Sequence, residues 1–533
     1  MRKRVVIFFV MIMGCFCMGM VCVYRTSFGN TVREANLSHG TYKVDIAKFR
    51  GSIYDCNLDP FLYRDSEKIA SVVPSMNSVV ALENIFPPKR FQSICDLFSS
   101  GTPFKLEVGN IPLDSEDIKV FDVPKRYPEN MLAPHIIGYV NDAGKGICGI
   151  EEAYDDFLGD VGSEISVRYK IDALGRMLKD NGGDVINTSC LKSRGLVLTI
   201  DKKIQAIAEK AARKFIRKGA VVIAEVPSCK IRACVSWPTF SCVHLEDALN
   251  ATDSPFLDRA LLAYNLGSVY KLVTAATALE SGIGENFTFN CTGAYNIEGT
   301  NFHCDRGCAH GQENLEDAIA KSCNTYFVEL SKKIKPEKLL EISNALGFGK
   351  ELLIAENFST DKGNLPAKDE LTDAYALANL SFGQGTLLAS PVQVVGMINA
   401  IASDGKYTIP SIVEGFVNEN REYIQKNVNS PSSAFSAKTA RCLRKCMIES
   451  VERGTSILGK PENCNAGAKT ATAETGIMRE DHLIVQTWYA GFFPSENPKY
   501  VAVVFVEDGE SGGRSCAPVF KFIVDLLKSN GVF

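Results

Sequence analysis

The chain has 533 residues, of which 46% are hydrophobic, and its 58 Lys and Arg against 62 Asp and Glu give a formal net charge of −4. This length predicts two or more domains. The balanced charge, without a basic run, argues against nucleic acid as a partner.

A basic N-terminus, MRKR, precedes an uncharged apolar run from Val5 to Tyr24. About 20 such residues span a bilayer as a helix. We therefore expect a transmembrane helix at residues 5–24. The positive charges predict that residues 1–4 are cytoplasmic and that everything after the helix lies outside the cell membrane. A cleaved signal peptide is the alternative, although its apolar stretch is usually shorter.

The segment from about residue 45 to 190 mixes short apolar runs with turn residues, which predicts a β-rich domain. The pattern changes near residue 195. GLVLTID is typical of a strand, and Ile204, Ile207 and Ala211 then recur on one helical face. A hairpin is predicted by GAVVIAEV and IRACVSW, and a second strand pair by TWYAGFFP and YVAVVFVEDG. The last predicted element is an amphipathic helix, VFKFIVDLLKS. Strands at both ends with helices between them predict one α+β domain at 195–533 with an antiparallel sheet.

Ser268 and Lys271 lie three residues apart in NLGSVYKLVTAATALESG, where a loop becomes an apolar helix. Residues at this spacing share a helix face, so the lysine amine can approach the serine hydroxyl. A serine becomes a good nucleophile when a base takes its proton, and burial or a second cation makes neutral lysine accessible. This pair alone is weak evidence, because the spacing is common.

Two further motifs follow in order. AKSCNTYF offers Ser322 and Asn324, a hydroxyl suited to relaying a proton and an amide suited to holding a substrate amide. AGAKTATAETG offers Lys469, Thr470 and Thr472 on a predicted strand, where the two threonines project to the same side. These hydroxyls can hold a substrate carboxylate while the lysine adds positive charge.

The three motifs, behind a membrane segment, resemble those of class B penicillin-binding proteins, the monofunctional peptidoglycan D,D-transpeptidases. The similarity extends to FGQGTLLASPVQVVGMINAIASDGKYTIP and, nearer the N-terminus, to RGSIYDCNLDP and RYPENMLAPHIIGYVNDAGKGICGIEEAYDDFLGDVG. It implies the penicillin-binding transpeptidase fold, an antiparallel five-stranded sheet flanked by helices, at 195–533. It also implies a non-catalytic, dimerisation-type pedestal domain at 45–190.

The resemblance implies a two-step reaction that needs no cofactor. Ser268 attacks the penultimate D-Ala carbonyl of a peptidoglycan stem pentapeptide, Lys271 takes its proton, and terminal D-Ala leaves before a second stem's amine accepts the acyl group. The backbone N–H groups of Ser268 and Thr472 are expected to form the oxyanion hole. β-Lactams are expected to acylate the same serine. A polytopic glycan polymerase and other wall-synthesis proteins are the expected partners.

The third motif departs from the family, because Ala471 stands where glycine is usual. A methyl group there puts substrate fit in doubt. Two alternatives are therefore kept: a catalytically impaired scaffold or sensor of the wall-synthesis complex, and a D,D-carboxypeptidase that gives the acyl group to water.

Three cysteines and two histidines lie between residues 291 and 310, enough for a tetrahedral zinc site. The ligands that we expect are Cys291, Cys304, Cys308 and His310. A disulfide such as Cys291 to Cys304, or free cysteines, are the alternatives. Any metal would be structural, and Cys323 is interpreted as a packed residue.

Overall fold

The computed structural model describes residues 2–28, 40–109, 115–159, 162–172, 177–178, 183–188, 194–283, 286–297, 299–479 and 482–533. Two compact units divide the chain. The first contains residues 1–50, 63–126 and 160–193, and the second contains residues 51–62, 127–159 and 194–533.

The described helices are α1 Arg2–Phe28, α2 Met76–Glu83, α3 Pro88–Phe98, α4 Pro134–Ile137, α5 Gly149–Ala153, α6 Asp155–Leu158, α7 Lys202–Phe215, α8 Leu245–Leu249, α9 Lys271–Glu280, α10 Leu315–Ala320, α11 Asn324–Ser331, α12 Pro336–Ala345, α13 Ala374–Ser381, α14 Pro391–Ala402, α15 Ala437–Arg453 and α16 Ala517–Ser529. The described strands are β1 Thr41–Phe49, β2 Ser52–Tyr54, β3 Ser66–Val72, β4 Phe104–Glu107, β5 Ile118–Pro124, β6 Ser163–Lys170, β7 Asp184–Asn187, β8 Gly195–Leu198, β9 Gly219–Glu225, β10 Ile231–Trp237, β11 Tyr264–Asn265, β12 Phe289–Cys291, β13 Ala294–Ile297, β14 Thr300–His303, β15 Gly311–Glu313, β16 Leu353–Ala355, β17 Phe358–Ser359, β18 Leu388–Ala389, β19 Lys406–Tyr407, β20 Val413–Val417, β21 Tyr423–Lys426, β22 Ser432–Ser433, β23 Gly467–Arg479, β24 His482–Phe493 and β25 Tyr500–Glu507.

The first unit is built on two three-stranded sheets, in the orders β1-β6-β7 and β4-β3-β5. Alternate apolar residues of β1 and β6, including Ile46 and Val167, form one core. Leu82 of α2 and Ile94 of α3 pack on β3 and β4 in a second core. Helix α1 contains an apolar stretch, Val6–Tyr24, that is long enough to cross a membrane. This agrees with the predicted anchor.

The second unit is organised by a five-stranded antiparallel sheet in the order β10-β9-β25-β24-β23. Its first two strands come from the start of the unit and its last three from the end, as the apolar runs predict. Helices α7 and α16 bury their apolar stripes against one face, with Ala208 and Phe520 fully buried. Helix α14, which is buried along its whole length, packs against the opposite face. The predicted α+β class is confirmed.

The division into units differs from the predicted boundaries. Strand β2 pairs in parallel with β8 in a sheet of the second unit, so residues 51–62 belong there and not with the pedestal range. Residues 127–159 also join the second unit, because they bury Ile136, Ile150 and Leu158, and His135 bonds to Pro255 O at 2.7 Å. The predicted boundary at 190 to 195 lies largely outside the described residues.

Candidate active site

Ser268 lies in a short 3₁₀ turn, Gly267–Tyr270, that leads directly into α9. Gly267 has φ 63°, a left-handed conformation that favours glycine, and its N–H donates to Gly383 O at 2.9 Å. Just before the turn, the Trp488 indole N–H donates to Asn265 O at 2.8 Å. Two hydrogen bonds to the backbone just before Ser268 therefore hold the nucleophile turn, and one of them comes from Trp488 of the central sheet.

Lys271, the first residue of α9, is completely buried, and its amine contacts the second motif. Nζ donates to Ser322 O at 2.7 Å, to Asn324 Oδ1 at 2.6 Å and to Ser322 Oγ at 3.1 Å. Burial lowers the pKa of this amine from 10.5 to about 7. A neutral lysine is thus accessible near physiological pH.

The structure does not join Lys271 directly to Ser268 by a hydrogen bond. Within the described part of the chain, the half-buried Ser268 hydroxyl makes no hydrogen bond, and the amine is turned to the carbonyl and amide oxygens of the second motif. Catalytic hydrogen bonds are often long before substrate binds. The spacing of three places the two residues one turn apart, while Ser322 and Asn324 orient the amine.

Lys469 on the edge strand β23 supplies a second buried amine. Its Nζ donates to Ser322 Oγ at 2.8 Å and to Thr470 O at 2.9 Å. Burial and the nearby Lys271 charge lower its pKa well below 10.5. The Ser322 hydroxyl therefore bridges two lysines, which disfavour each other's charged form.

The second motif is held in an unusual backbone geometry. Ser322 has φ 60°, which is strained for a residue other than glycine. Asn324 begins α11, and its Nδ2 donates to His303 O at 2.8 Å at the end of β14. The amide oxygen is thereby turned to Lys271, which aligns all three motifs around one cleft.

The two threonines of the third motif have different surroundings. The Thr470 hydroxyl, 7% exposed, donates to Thr455 Oγ1 at 2.8 Å. The exposed Thr472 accepts a bond from Gly512 N at 3.3 Å. The methyl group of Ala471 faces Gly267, which has no side chain to meet it; a Cβ built on that glycine would lie 3.4 Å from this methyl and 3.0 Å from the Ala473 Cβ. The alanine therefore fits against the nucleophile turn without a clash.

A cysteine and histidine cluster borders the second motif. Cys291, Cys304, His310 and Cys323 offer four ligand atoms that all lie within 4.8 Å of one another. The sulfur atoms of Cys291 and Cys304 are 3.7 Å apart, those of Cys304 and Cys323 are 3.8 Å apart, and Cys291 Sγ lies 3.4 Å from His310 Nδ1. Hydrogen bonds from Cys323 and Thr325 lower the pKa of the Cys304 thiol.

Two predictions about this cluster need correction. Cys308 is exposed and lies outside the cluster, because the turn after Cys304 directs it away from the sulfurs. Cys323 takes the fourth position because it precedes α11, which packs against the strands carrying the other ligands. The available sequence signal was the position of Cys323 between Ser322 and Asn324. Its approach to the loop 13 residues upstream depends on the tertiary fold, which local sequence does not show. The sequence offered no signal for Thr455.

Comparison with known proteins agrees with the geometry. Residues 219–525, more than half of the chain, match the family model for the penicillin binding protein transpeptidase domain. Stage V sporulation protein D of Bacillus subtilis (strain 168) is 27% identical over 431 residues, which are 77% of this chain and 65% of that protein. The probable peptidoglycan D,D-transpeptidase FtsI of Caulobacter vibrioides (strain NA1000 / CB15N) is 25% identical over 408 residues, 73% of this chain and 62% of that one.

The chain thus spans less than two thirds of the length of these two relatives. Among solved structures, penicillin-binding protein PBP2 of Helicobacter pylori, in its complex with MreC, superposes with a TM-score of 0.69 at 22% identity. The match covers 92% of this chain and 99% of that one, and it confirms the predicted fold. The chain belongs to the penicillin-binding protein transpeptidase family.

Proposed function

We propose that this protein is a serine-type peptidoglycan D,D-transpeptidase that cross-links stem peptides through an acyl-enzyme on Ser268. The observation that carries the proposal is the pair of buried amines, Lys271 and Lys469, that meet on the Ser322 hydroxyl beside the nucleophile turn. A pocket that favours uncharged lysine suits base catalysis, and an ordinary surface lysine would remain charged.

Lys271 serves as the base for Ser268. Two of its N–H groups are committed to Ser322 O and Asn324 Oδ1, which can only accept. In the neutral amine the lone pair is therefore left for a hydroxyl proton. Ser268 Oγ attacks the carbonyl carbon of the penultimate D-Ala as Lys271 takes its proton.

Collapse of the tetrahedral intermediate breaks the amide bond between the two D-Ala residues. Ser322 relays the proton from Lys271 to the leaving nitrogen, so D-Ala departs as a free amine. An amine of a second stem peptide then attacks the carbonyl carbon of the acyl-enzyme, the bond from that carbon to Ser268 Oγ breaks, and the proton that the amine loses passes through Lys271 to Ser268 Oγ. Atoms and charges balance without a cofactor, and a β-lactam follows the first step only.

The remaining site residues bind the donor. Asn324 is placed to hold the donor's amide, and the third motif is placed to hold its terminal carboxylate through the Thr472 hydroxyl, with Thr470 and the Lys469 amine beside it. The Ser268 N–H lies at the start of a helical turn and the Thr472 N–H on an edge strand, two places where backbone donors are not all used by the fold. These two N–H groups form the proposed oxyanion hole.

Product analysis separates this function from its alternatives. The protein is given an acyl donor ending in D-Ala–D-Ala with increasing amounts of an amine acceptor. A transpeptidase shifts from hydrolysed to aminolysed product as acceptor rises. Unchanged hydrolysis would indicate a carboxypeptidase, and no release of D-Ala by wild type would indicate a scaffold. Ser268→Ala is the inactive control.

The cysteine cluster is proposed to hold a structural zinc ion through Cys291, Cys304, His310 and Cys323. At a Zn–S bond of about 2.3 Å, sulfurs on a tetrahedron lie about 3.8 Å apart, and a sulfur and a nitrogen about 3.5 Å. The separations of 3.7, 3.8 and 3.4 Å agree with this geometry. The Thr325 hydroxyl donates to Cys291 Sγ at 3.1 Å, the kind of outer contact that supports a thiolate ligand.

Metal analysis of protein purified without a metal-binding tag tests this site. One zinc per chain is expected, retained in Cys308→Ser and lost in Cys323→Ser. A folded wild type without zinc, or loss of zinc in Cys308→Ser, would exclude these ligands.

The chain is proposed to be a single-pass cell-membrane protein with residues 1–4 in the cytoplasm, residues 45–190 contributing most of the pedestal, and the catalytic unit outside the cell membrane. The apolar stretch of α1 supports the anchor. A polytopic glycan polymerase and other wall-synthesis proteins are the proposed partners, supported by the relative that is complexed with MreC. The exposed Cys95 should react with a membrane-impermeant maleimide in intact cells, and protection until lysis would contradict this topology.

A further inference from the structure

Thr455 lies in the turn after α15 and belongs to none of the three motifs. Its side chain is exposed, and its oxygen accepts the Thr470 hydroxyl proton at 2.8 Å. A hydroxyl carries one proton, so Thr470 has none left for a ligand, whereas no group in the described residues accepts the proton of Thr455. Thr472 resembles Thr455, because its oxygen accepts from Gly512 N and its own proton meets no acceptor in the part of the chain that the structure describes.

The turn that carries Thr455 is rigidly attached to the catalytic motifs. The Thr455 N–H donates to Ala320 O at 2.9 Å, two residues before Ser322. Gly454 permits this approach, since a Cβ there would lie 2.2 Å from Ala320 O. On the other side, the Tyr489 hydroxyl donates to Ser456 O at 2.9 Å. The exposed hydroxyl is thus held in a fixed position.

We propose that Thr455 is a substrate-binding residue that donates its hydroxyl proton to the terminal carboxylate of the acyl donor, together with Thr472. The Thr470 hydroxyl donates a hydrogen bond to the Thr455 oxygen. A hydroxyl that accepts a hydrogen bond becomes a better donor, so Thr470 strengthens the bond that Thr455 donates to the carboxylate. The buried Lys469 precedes Thr470 on the same strand, so its amine lies beside this end of the cleft. Thr455 therefore selects for acyl donors that end in a carboxylate. This inference rests on the proposed function.

Two probes test this role: a carboxylate-bearing penicillin and its methyl ester. Thr455→Val should slow acylation by the acid roughly tenfold to hundredfold, the usual worth of a hydrogen bond to a charged group, and leave the ester rate unchanged. Thr455→Ser, which keeps the hydroxyl, should behave as wild type. Thr102→Val, in the other unit, is the matched control.

An equal loss with both probes in Thr455→Val would show a structural role and overturn the proposal, as would no loss with either. Thr470→Val is a second variant that retains the Thr455 hydroxyl. It should slow acylation by the acid less than Thr455→Val does, and a larger loss would assign the contact to Thr470. A wild type that forms no adduct with either probe would instead remove the proposed function itself.

Discussion

The pH dependence of acylation follows from the buried Lys271. With a pKa of about 7, about half of the molecules carry the neutral amine at pH 7, compared with about one in three thousand at the ordinary value of 10.5. The rate should therefore rise about tenfold per pH unit below pH 7 and level off above about pH 8. Because Lys469 shares Ser322, the apparent pKa belongs to the pair.

The assay is the second-order rate constant for acylation by a reporter penicillin between pH 5.5 and 9. Lys271→Arg replaces the amine by a group that stays charged, and it should lower the rate above about pH 8 by about 10²- to 10⁴-fold. Lys338→Arg, at a partly exposed lysine paired with Glu341, is the matched control and should change nothing. A flat profile in wild type, or a rate above pH 8 within tenfold of wild type in Lys271→Arg, would refute the role of Lys271 as base.

The same titration affects stability. Between pH 7 and 10.5 the folded protein binds fewer protons at Lys271 than the unfolded chain, so the free energy of unfolding should rise with pH in this window. The slope is about 1.4 kcal/mol per pH unit for one fully shifted group. Lys271→Met should reduce this slope, and denaturant titrations at pH 7 and 9 measure it. An unchanged slope would contradict the depressed pKa.

Three further substitutions are expected to separate chemistry from packing. Ser322→Ala removes the hydroxyl that the two lysines share. It should lower the acylation rate by about 10²-fold or more, while circular dichroism shows an intact fold. A smaller loss of rate would argue against a proton relay. Ala471→Gly should change the acylation rate by less than about tenfold, because the methyl faces Gly267, which carries no side chain to clash with it, and should cost about 0.5 to 1 kcal/mol in thermal unfolding. A gain of a hundredfold would show instead that the alanine impairs the enzyme. Trp488→Phe should destabilise the protein by about 1 to 3 kcal/mol in denaturant titration, through the lost bond to Asn265 and the cavity, and no loss would contradict its role as support of the nucleophile turn.

The sheet and its two flanking helices were predictable, because their apolar residues follow strand and helix periods. Strand β21 was not. NENREYIQKNVNSPSSAFS is polar enough to predict a loop, yet Tyr423 packs against Tyr54 and Val417 while the strand pairs with β20. Long-range pairing there outweighs local composition.

The candidate site shows the same limit. The spacing of Ser268 and Lys271 predicts that they share a face, but the direction of the amine depends on oxygens at Ser322 and Asn324, about 50 residues away in sequence. Cys323 joins the cysteine cluster for a similar reason, since a ligand set depends on distances in space. Local spacing in the sequence indicates which residues are candidates for the site. Tertiary contacts determine which of their atoms meet.

The central claim is that this cleft makes Ser268 a nucleophile, and the intact mass of the purified protein after incubation with benzylpenicillin tests it most directly. Wild type should gain the mass of one complete penicillin, mapped by peptide digestion to the segment that contains Ser268, and Ser268→Ala should gain none. An unmodified wild type, or an adduct that persists in Ser268→Ala, would contradict the account.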